Sequence, residues 1–268
     1  ATTPETLFDV GSIGKVFTRV AIQKLREQGR LQLSDRLVRF FPEVPQDKAA
    51  ITVSQLLDMR SGLHEYHDRS GDFEPMTREQ ALERIWKQPL RFQPGRGKGY
   101  SNSGYAVLAA IIEETSGLSY PAFLDRYLLE PAGLRRTGFY QLRQWEPDSM
   151  AVGYEALTYG EVNSPAYWPE ISWACMGGGC LVSSTRELFK WFRGLAEGKI
   201  LSSQSLQEVF PKTGDTQIYT GLNDFGFGAL IAFEPVREDL VVVLLNSAGE
   251  EGWSPIGFDL MKLLKRLR

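Results

Sequence analysis

The 268-residue chain has no excess of positive charge. It carries 30 lysines and arginines against 33 aspartates and glutamates, which gives a net charge of −3. Proteins that bind nucleic acid or anionic membranes through charge present a basic surface, and no basic stripe interleaved with aromatics occurs in this sequence. The composition therefore argues against nucleic acid as a partner and favours a small-molecule substrate.

Long hydrophobic runs are also lacking. No apolar run reaches the roughly 18 residues of a membrane-spanning helix, and the N-terminus has no basic and apolar signal segment. We therefore expect no stable membrane insertion. Because the first residue is Ala1 and not methionine, the expected compartment is the periplasm or the outside of the cell if a signal peptide was removed, and otherwise the cytoplasm.

Cysteine and histidine are scarce, and the chain has two of each. Cys175 and Cys180 stand in Cys-Met-Gly-Gly-Gly-Cys, a spacing that suits neither a disulfide framework nor a zinc site, so we expect free thiols. The segment 64–68, His-Glu-Tyr-His-Asp, collects side chains that can bind metals, but it is not His-Glu-x-x-His. The sequence therefore predicts neither a metal nor a cofactor.

Helical patterns dominate the first two thirds of the chain. The first helix is predicted over Ser12–Gln28, before Gly29, and another over Ser103–Ser116. Capping boxes at Thr52–Gln55 and Thr77–Gln80 open two shorter helices. These signals place several helices ahead of any strong strand signal.

Strand patterns come in the last third of the chain. Phe225–Phe233 is predicted to be a glycine-containing strand. Leu240–Leu245 is an unbroken apolar run of the kind that is buried on both faces of a sheet. Ahead of these strands, Ser184 and Glu187 form a capping pair that opens a further helix.

Two polar side chains, Ser12 and Lys15, stand three residues apart at the start of the first predicted helix. This spacing places them one helical turn apart. An ammonium beside a serine hydroxyl can hold it ready as a nucleophile, because each group changes the proton affinity of the other. The alternative is structural: Ser12 caps the helix, and Lys15 extends its ammonium to water.

A second polar pair, Tyr100 and Asn102, lies where a glycine-rich loop meets the helix predicted from Ser103. If this turn faces Ser12, Tyr100 could take the serine proton as a phenolate stabilised by Lys15. Asn102 could then hold a substrate amide or the lysine. The alternative is that a serine of this turn caps the helix while Tyr100 packs.

Several segments together carry a resemblance to a known family. In chain order they are Phe8–Thr18, Ser61-Gly62-Leu63, Pro94-Gly95 leading into Tyr100-Ser101-Asn102, Ser116-Gly117, and Pro131-Ala132-Gly133-Leu134 followed by Thr137. In this order they resemble the serine beta-lactamase and penicillin-binding superfamily. A tyrosine at position 100, where class A enzymes have a serine, places the resemblance in the class C-like branch, with family VIII carboxylesterases, D-aminopeptidases and DD-peptidase-like hydrolases.

The resemblance implies a catalytic role for three residues and a binding role for a fourth. It makes Ser12 the acylated nucleophile, with its own backbone N–H as one oxyanion donor. It makes Lys15 the group that lowers the proton affinity of Ser12 and Tyr100, and Tyr100 the general base and then acid. Asn102 is implied to orient the substrate and the lysine.

The resemblance also implies which residues border the substrate pocket. Its glycine-rich segment corresponds to 177–179, so Gly178 is a candidate substrate-binding residue. Tyr154, Trp168 and Trp173 are candidate substrate-facing aromatics, and packing is the alternative for each of the three.

The third motif of the family, Lys-Thr-Gly or His-x-Gly on a strand beside the serine, is not at its expected place. Lys212-Thr213-Gly214 precedes the strand that begins at Phe225, whereas the family's motif follows that strand, so we interpret Lys212 as a surface residue. At the join of Phe233 and Glu234 a whole strand is missing. Either the protein lacks this strand or the sequence omits a segment there. Because a buried strand is costly to remove, we expect the omission.

The sequence as a whole predicts an α/β (α+β) sandwich, in which an antiparallel sheet is flanked by helices, with a mostly helical domain inserted. Residues 1–35 and 180–268 are expected to form the sandwich, and 36–179 the helical domain with active-site loops. The predicted activity is hydrolysis of a small ester, amide or beta-lactam through an acyl-enzyme. The alternative is a non-catalytic ligand-binding or scaffold protein of the same fold. The acyl substrate and the oligomeric state stay open.

Overall fold

The computed structural model describes residues 1–65, 74–143, 145–154, 162–168, 172–211, 215–223, 225–234, 236, 239–247, 256, 259–260 and 262–263. These residues combine helices with antiparallel sheets, the predicted fold class. The chain forms two compact units: the first holds 1–16, 125–169 and 179–268, and the second 17–124 and 170–178. The predicted domain boundaries, 1–35 with 180–268 and 36–179, stay a prediction.

Among the described residues, five α-helices come before residue 125. They are α1 (Gly14–Glu27), α2 (Val53–Leu57), α3 (Arg78–Lys87), α4 (Asn102–Ser116) and α5 (Tyr120–Leu124). The capping boxes predicted at the starts of α2 and α3 are confirmed. The glycine expected to end α1 and the one after α4 both adopt a positive φ, of 69° and 72°, because a left-handed residue turns the chain out of a helix.

The second unit is built around α4. Every residue from Ser103 to Ile112 is buried, which is unusual for a helix and requires neighbours on all sides. Helices α2, α3 and α5 pack against it. The start of α4, which carries the second predicted motif, is thereby fixed to the most buried helix of this unit.

The first unit contains two antiparallel sheets. A short sheet pairs β1 (Phe8–Asp9) with β2 (Val182–Ser183). A three-stranded sheet has the order β3 (Gln217–Leu222), β4 (Gly228–Glu234) and β5 (Asp239–Leu245). Every residue of β4, the central strand, is buried.

The first unit also contains the α-helices α6 (Thr185–Ala196) and α7 (Ser203–Val209). Ser184 caps α6 by accepting the N–H of Glu187, as predicted, and α6 packs against β5. One aromatic cluster joins α6 to the three-stranded sheet. It consists of Phe192 of α6, Phe210 directly after α7, Tyr219 of β3 and Phe233 of β4. Short turns of 3-10 or π helix lie at Gly11–Ile13, Leu37–Arg39, Asp125–Leu129, Tyr140–Leu142, Pro147–Ser149 and Pro165–Tyr167.

The structure differs from the strand predictions at three points. Strand β3 lies in a segment where the sequence analysis predicted no strand. Strand β5 alternates between buried and partly exposed residues, so it is not buried on both faces. Phe233 and Glu234 are consecutive in β4, and they pair with Leu240 and Asp239 of β5 in a direct hairpin. In this chain these two strands thus pair with no strand between them, and the expectation of an omitted segment at this join stays a prediction.

The expectation of free thiols is also wrong. Both cysteines, Cys175 and Cys180, are disulfide-bonded. The four residues between them include three glycines, and both Gly177 and Cys180 have a positive φ, of 74° and 58°. Left-handed residues let a chain reverse within a few residues, so a loop this short can close.

No described helix is both long enough and apolar enough to cross a bilayer.

Candidate active site

The first predicted motif lies on a tight turn that links β1 to α1. Val10 donates its backbone N–H to Leu181 O at 2.9 Å, which fixes the end of β1. Gly11 then adopts a φ of 49° and opens a 3-10 turn that runs into α1. Ser12 is the middle residue of this turn, so its hydroxyl is held at the start of the helix rather than on a flexible loop.

Ser12 and Lys15 are in direct contact. Lys15 Nζ donates to Ser12 Oγ at 3.0 Å, and only 7% of the lysine residue is exposed. The interpretation of Lys15 as a side chain that extends to water is therefore wrong. Ser12 is not an N-cap either, because it is the middle residue of the 3-10 turn Gly11–Ile13, whose N-cap is Val10. A buried lysine nitrogen that is hydrogen-bonded to a serine hydroxyl can activate that serine as a nucleophile.

Strand β3 passes directly beside the serine turn. A Cβ placed on Gly221 would lie 2.0 Å from the carbonyl oxygen of Val10 and 3.0 Å from the backbone nitrogen of Ser12. A Cβ on Gly11 would likewise lie 2.9 Å from the backbone of Leu222. The backbone of β3 and that of the serine turn can approach so closely because neither Gly221 nor Gly11 has a side chain. The strand beside the serine is thus β3, and the sequence analysis missed it.

The glycine-rich segment also reaches the serine turn. A Cβ placed on Gly14 would lie 3.0 Å from the Cα atom of Gly179, and one on Gly179 would lie 3.3 Å from Gly11 O. Within the second unit, Gly178 is buried and donates its N–H to Cys175 O at 3.1 Å. The role of Gly178 in substrate binding stays a prediction.

The second motif stands at the start of α4, in the second unit. Ser101 is the N-cap and accepts the N–H of Gly104 at 3.0 Å, as the structural alternative proposed. Tyr100, which that alternative expected to pack, is 50% exposed, so half of its surface is open to solvent. Asn102 is the first residue of α4 and is half-buried. The catalytic roles of Tyr100 and Asn102 stay a prediction.

Glu65 holds the start of α4 in place, a role that no sequence pattern predicted. Its two carboxylate oxygens accept the N–H of Asn102 at 2.8 and 3.1 Å, and one of them lies 3.4 Å from the N–H of Ser103. A carboxylate at a helix N-terminus satisfies N–H groups that have no partner within the helix. The preceding residue, His64, accepts the hydroxyl of Ser103 at 2.8 Å with its carbonyl oxygen.

The metal-capable segment His-Glu-Tyr-His-Asp, 64–68, is described only at His64 and Glu65. The rest of the segment that could have bound a metal, 66–68, lies outside the described residues. Among the residues that the structure describes, no three His, Cys, Asp or Glu side chains are placed to hold a metal ion.

The three candidate aromatic residues have different surroundings. Trp168 is buried among Tyr140, Phe225 and Phe227, with its Nε1 3.3 Å from Asn163 Oδ1, so for this residue the packing alternative is correct. Tyr154 is exposed, and Trp173 is half-buried and bound through its backbone N–H to Met76 O. Substrate contact by Tyr154 and Trp173 stays a prediction.

Comparison with known proteins gives a family and two curated relatives. A family model described as Beta-lactamase matches residues 1–256. PbpX of Bacillus subtilis (strain 168), provisionally named a penicillin-binding protein, is 31% identical over 254 residues, which are 91% of this chain and 63% of that protein. The teichoic acid D-alanine hydrolase of Staphylococcus aureus is 26% identical over 227 residues, 85% of this chain and 55% of that protein. The chain thus spans less than two thirds of either relative.

A solved structure shows the same fold. The D-amino acid amidase from Ochrobactrum anthropi SV3, complexed with L-phenylalanine amide, superimposes with a TM-score of 0.79. The match covers 92% of this chain and 78% of the amidase chain, at 22% sequence identity.

Proposed function

The chain belongs to the beta-lactamase family, and we propose that it is a serine hydrolase that cleaves a small amide or ester through an acyl-enzyme on Ser12. One observation carries the proposal, the 3.0 Å hydrogen bond from the buried Lys15 Nζ to Ser12 Oγ. A serine is a weak nucleophile at its free pKa and needs an adjacent group that stabilises its deprotonated form. Lys15 is positioned to be that group.

In the proposed reaction, Ser12 Oγ attacks the carbonyl carbon of the substrate and transfers its proton to Tyr100. The tetrahedral intermediate collapses when the bond to the leaving group breaks, and Tyr100 returns the proton to the departing amine or alcohol. Water then attacks the ester on Ser12 and gives a proton to Tyr100. The bond between the acyl carbon and Ser12 Oγ breaks, Tyr100 returns the proton to Ser12 Oγ, and the acid leaves. Lys15 stabilises the anionic forms of Ser12 and Tyr100, and Asn102 orients the substrate.

The negative charge that develops on the carbonyl oxygen needs two N–H donors. The first in this proposal is the backbone N–H of Ser12. Strand β3 is the best candidate for the second, because Gly221 brings its backbone against that same N–H group. Such donors are worth roughly 10²–10³ in kcat each. In this assignment β3 takes the place of the strand that the sequence analysis found missing.

For the substrate we propose a D-amino acid amide or ester. The support is that relatives of this chain are named for D-alanine hydrolysis and D-amino acid amide hydrolysis. The chemistry of Ser12 and Lys15 does not depend on the leaving group, so amide and ester substrates share one acyl-enzyme. Beta-lactams are the third substrate class, and we expect them to acylate Ser12 with slower release than a linear ester.

Covalent labelling tests this proposal. The protein is incubated with D-alanine p-nitrophenyl ester and, separately, with a fluorescent penicillin, and the adduct is mapped by mass spectrometry. We expect one acyl group per chain on the peptide that contains Ser12, and none in Ser12→Ala. Release of p-nitrophenolate from the D-ester should exceed that from the L-ester.

Other outcomes of this labelling would change the assignment. An adduct on another residue, or one that survives Ser12→Ala, excludes Ser12 as the nucleophile. If no ester, amide or beta-lactam acylates the protein but one of them binds saturably, the non-catalytic ligand-binding alternative is correct.

Replacement of Tyr100 by phenylalanine tests the general base. We expect Tyr100→Phe to lower kcat/KM by about 10²-fold, at the lower end of what general acid–base catalysis contributes. The matched control is Tyr105→Phe, five residues later in α4. Burial raises the pKa of the Tyr105 phenol, which stays protonated and donates to Leu57 O at 3.2 Å.

The two tyrosine variants should therefore separate chemistry from stability. Tyr105→Phe loses a buried hydrogen bond and should cost about 1 kcal/mol of unfolding free energy with unchanged kcat/KM. Tyr100→Phe should unfold at the wild-type temperature because Tyr100 is exposed. Equal activity losses in the two variants would remove Tyr100 from the mechanism.

A further inference from the structure

A buried carboxylate lies three residues before the nucleophile. Asp9 is the last residue of β1, and only 3% of it is exposed. Its Oδ1 atom accepts the backbone N–H of Gly11 at 2.8 Å and the side-chain Nδ2 of Asn223 at 2.9 Å. Because a buried carboxylate is costly unless it is hydrogen-bonded, these contacts define a single orientation of the Asp9 side chain.

The partner, Asn223, organises the turn between β3 and β4. Its Oδ1 accepts the N–H of Phe225 at 3.0 Å and that of Phe227 at 3.1 Å, and its backbone N–H donates to Phe227 O at 3.2 Å. The amide therefore uses its oxygen to hold the turn and its nitrogen to hold Asp9. Two segments 214 residues apart in sequence are joined by one side-chain hydrogen bond.

This bond lies beside the close approach of β3 to the serine turn. Gly11, held by Asp9, is the glycine whose missing side chain makes room for Leu222, the last residue of β3. Asn223 is the next residue. Asp9 therefore holds the turn that precedes α1 through a hydrogen bond. Asn223, to which Asp9 is also bonded, directly follows β3, the strand that lies against this turn.

We infer that Asp9 and Asn223 are positioning residues that hold the Ser12 backbone N–H and strand β3 in fixed register. This inference rests on the proposed function, since it assigns the pair to the oxyanion donors of that mechanism. Donors that are fixed before the reaction stabilise the developing oxyanion without reorganisation. A misplacement of about 1 Å can cost about 10²-fold in rate.

The test uses four variants of the full chain: Asp9→Asn, Asp9→Ala, Asn223→Ala and the double alanine variant. The matched control is Glu187→Ala, which removes another buried carboxylate of the same unit. The Glu187 carboxylate accepts the N–H of Arg136 at 3.0 Å and the ammonium of Lys190 at 2.9 Å. Two readouts are measured: kcat and KM for D-alanine p-nitrophenyl ester, and amide hydrogen exchange of the peptide that contains Gly11 and Ser12.

We expect Asp9→Ala and Asn223→Ala to lower kcat by about 10- to 100-fold, with KM changed less than about 2-fold, because a misplaced oxyanion donor acts on the transition state. Asp9→Asn keeps an acceptor oxygen and should stay within about 5-fold of the wild type. The kcat of the double alanine variant should be no lower than that of the less active single alanine variant, because the two residues act as one unit. Exchange in the serine peptide should accelerate in Asn223→Ala and stay unchanged in Glu187→Ala.

The exchange readout separates this inference from the proposed function. If the wild type is never acylated, the proposed function fails, and exchange still decides whether Asn223 holds the serine turn. Unchanged exchange in Asn223→Ala overturns the inference whatever the activity. Equal kcat losses in Glu187→Ala and Asp9→Ala also overturn it, because a general loss of stability then explains both.

Discussion

Lys15→Met is expected to keep the fold and to lower kcat/KM by at least about 10³-fold, toward the upper part of the range for acid–base catalysis. Methionine is similar in length to lysine and fills the same space. It has no N–H to donate to Ser12 Oγ, where Lys15 now donates at 3.0 Å. Both acylation by an activated ester and turnover should therefore be lost, as measured by stopped-flow release of p-nitrophenolate.

The same substitution elsewhere on α1 provides the control. Lys24 is partly exposed and lies 3.7 Å from Glu27, an ion pair of the kind that contributes little to stability. Lys24→Met should leave kcat/KM and the unfolding temperature unchanged. Lys15→Met should not unfold at a lower temperature either, since exchanging a buried charge for an apolar group of similar volume is often neutral or stabilising. Full activity in Lys15→Met would show that the contact with Ser12 is structural.

Lys15→Arg should also be inactive, although the positive charge is kept. Arginine carries a planar fork of donors that is wider than an ammonium and does not lose its proton in proteins. At a residue that is 7% exposed, the larger group has no room without displacing Ser12. Activity of about wild-type level in Lys15→Arg would mean that charge alone is required.

Most helices of this fold were predictable from local sequence signals. The capping boxes at Thr52 and Thr77 each satisfy two backbone N–H groups through residues three positions apart. At the start of α6, Ser184 accepts one N–H, that of Glu187, also three positions away. Because both partners of a cap lie within one turn, the sequence itself contains all the information that such a helix start requires.

The Ser12–Lys15 contact was predictable for the same reason. The two side chains are three residues apart on one turn, and their distance depends on local geometry alone. The motif at the start of α4 was also found, since loop glycines and a capping serine mark a helix start. What sequence could not supply was the partner of that motif, Glu65, which lies 37 residues away from Asn102.

Strand β3 was missed because its pattern is weak. Its residues, Gln217–Leu222, are mostly polar or half-exposed, and only Gly221 is buried. The expected third motif drew attention to Lys212-Thr213-Gly214 instead, which lies outside the described residues. The importance of Gly221 comes from its approach to Val10, more than 200 positions earlier in the chain, and no local pattern records such a contact.

The two cysteines were misjudged by a compositional rule. An isolated pair of cysteines in a chain of this size favours free thiols, but the rule takes no account of the glycines between them. Gly177 has a positive φ of 74° and packs directly against the backbone of Tyr105. The fold therefore places the loop, and the closure of the disulfide follows from that placement.

Gly221→Ala is expected to lower kcat/KM by about 10³-fold, comparable to the loss of an oxyanion donor, and to destabilise the protein. The new Cβ would lie 2.0 Å from Val10 O and 3.0 Å from Ser12 N. Both neighbours are backbone atoms and cannot turn aside as a side chain could. The substitution must therefore push β3 and the serine turn apart, at a cost of about 1–3 kcal/mol of unfolding free energy.

Gly194→Ala is the matched control for this experiment. Gly194 lies within α6, in the same unit, and the nearest atom to its added Cβ would be 3.8 Å away, an ordinary contact. Alanine is the better helix former by about 1 kcal/mol, so this variant should unfold at the same or a higher temperature with wild-type kcat/KM. Wild-type kinetics in Gly221→Ala would show that β3 does not lie against Ser12 and would remove this strand from the proposed oxyanion site. Reduced stability with unchanged kcat would show that β3 supports the fold without supplying a donor to the reaction.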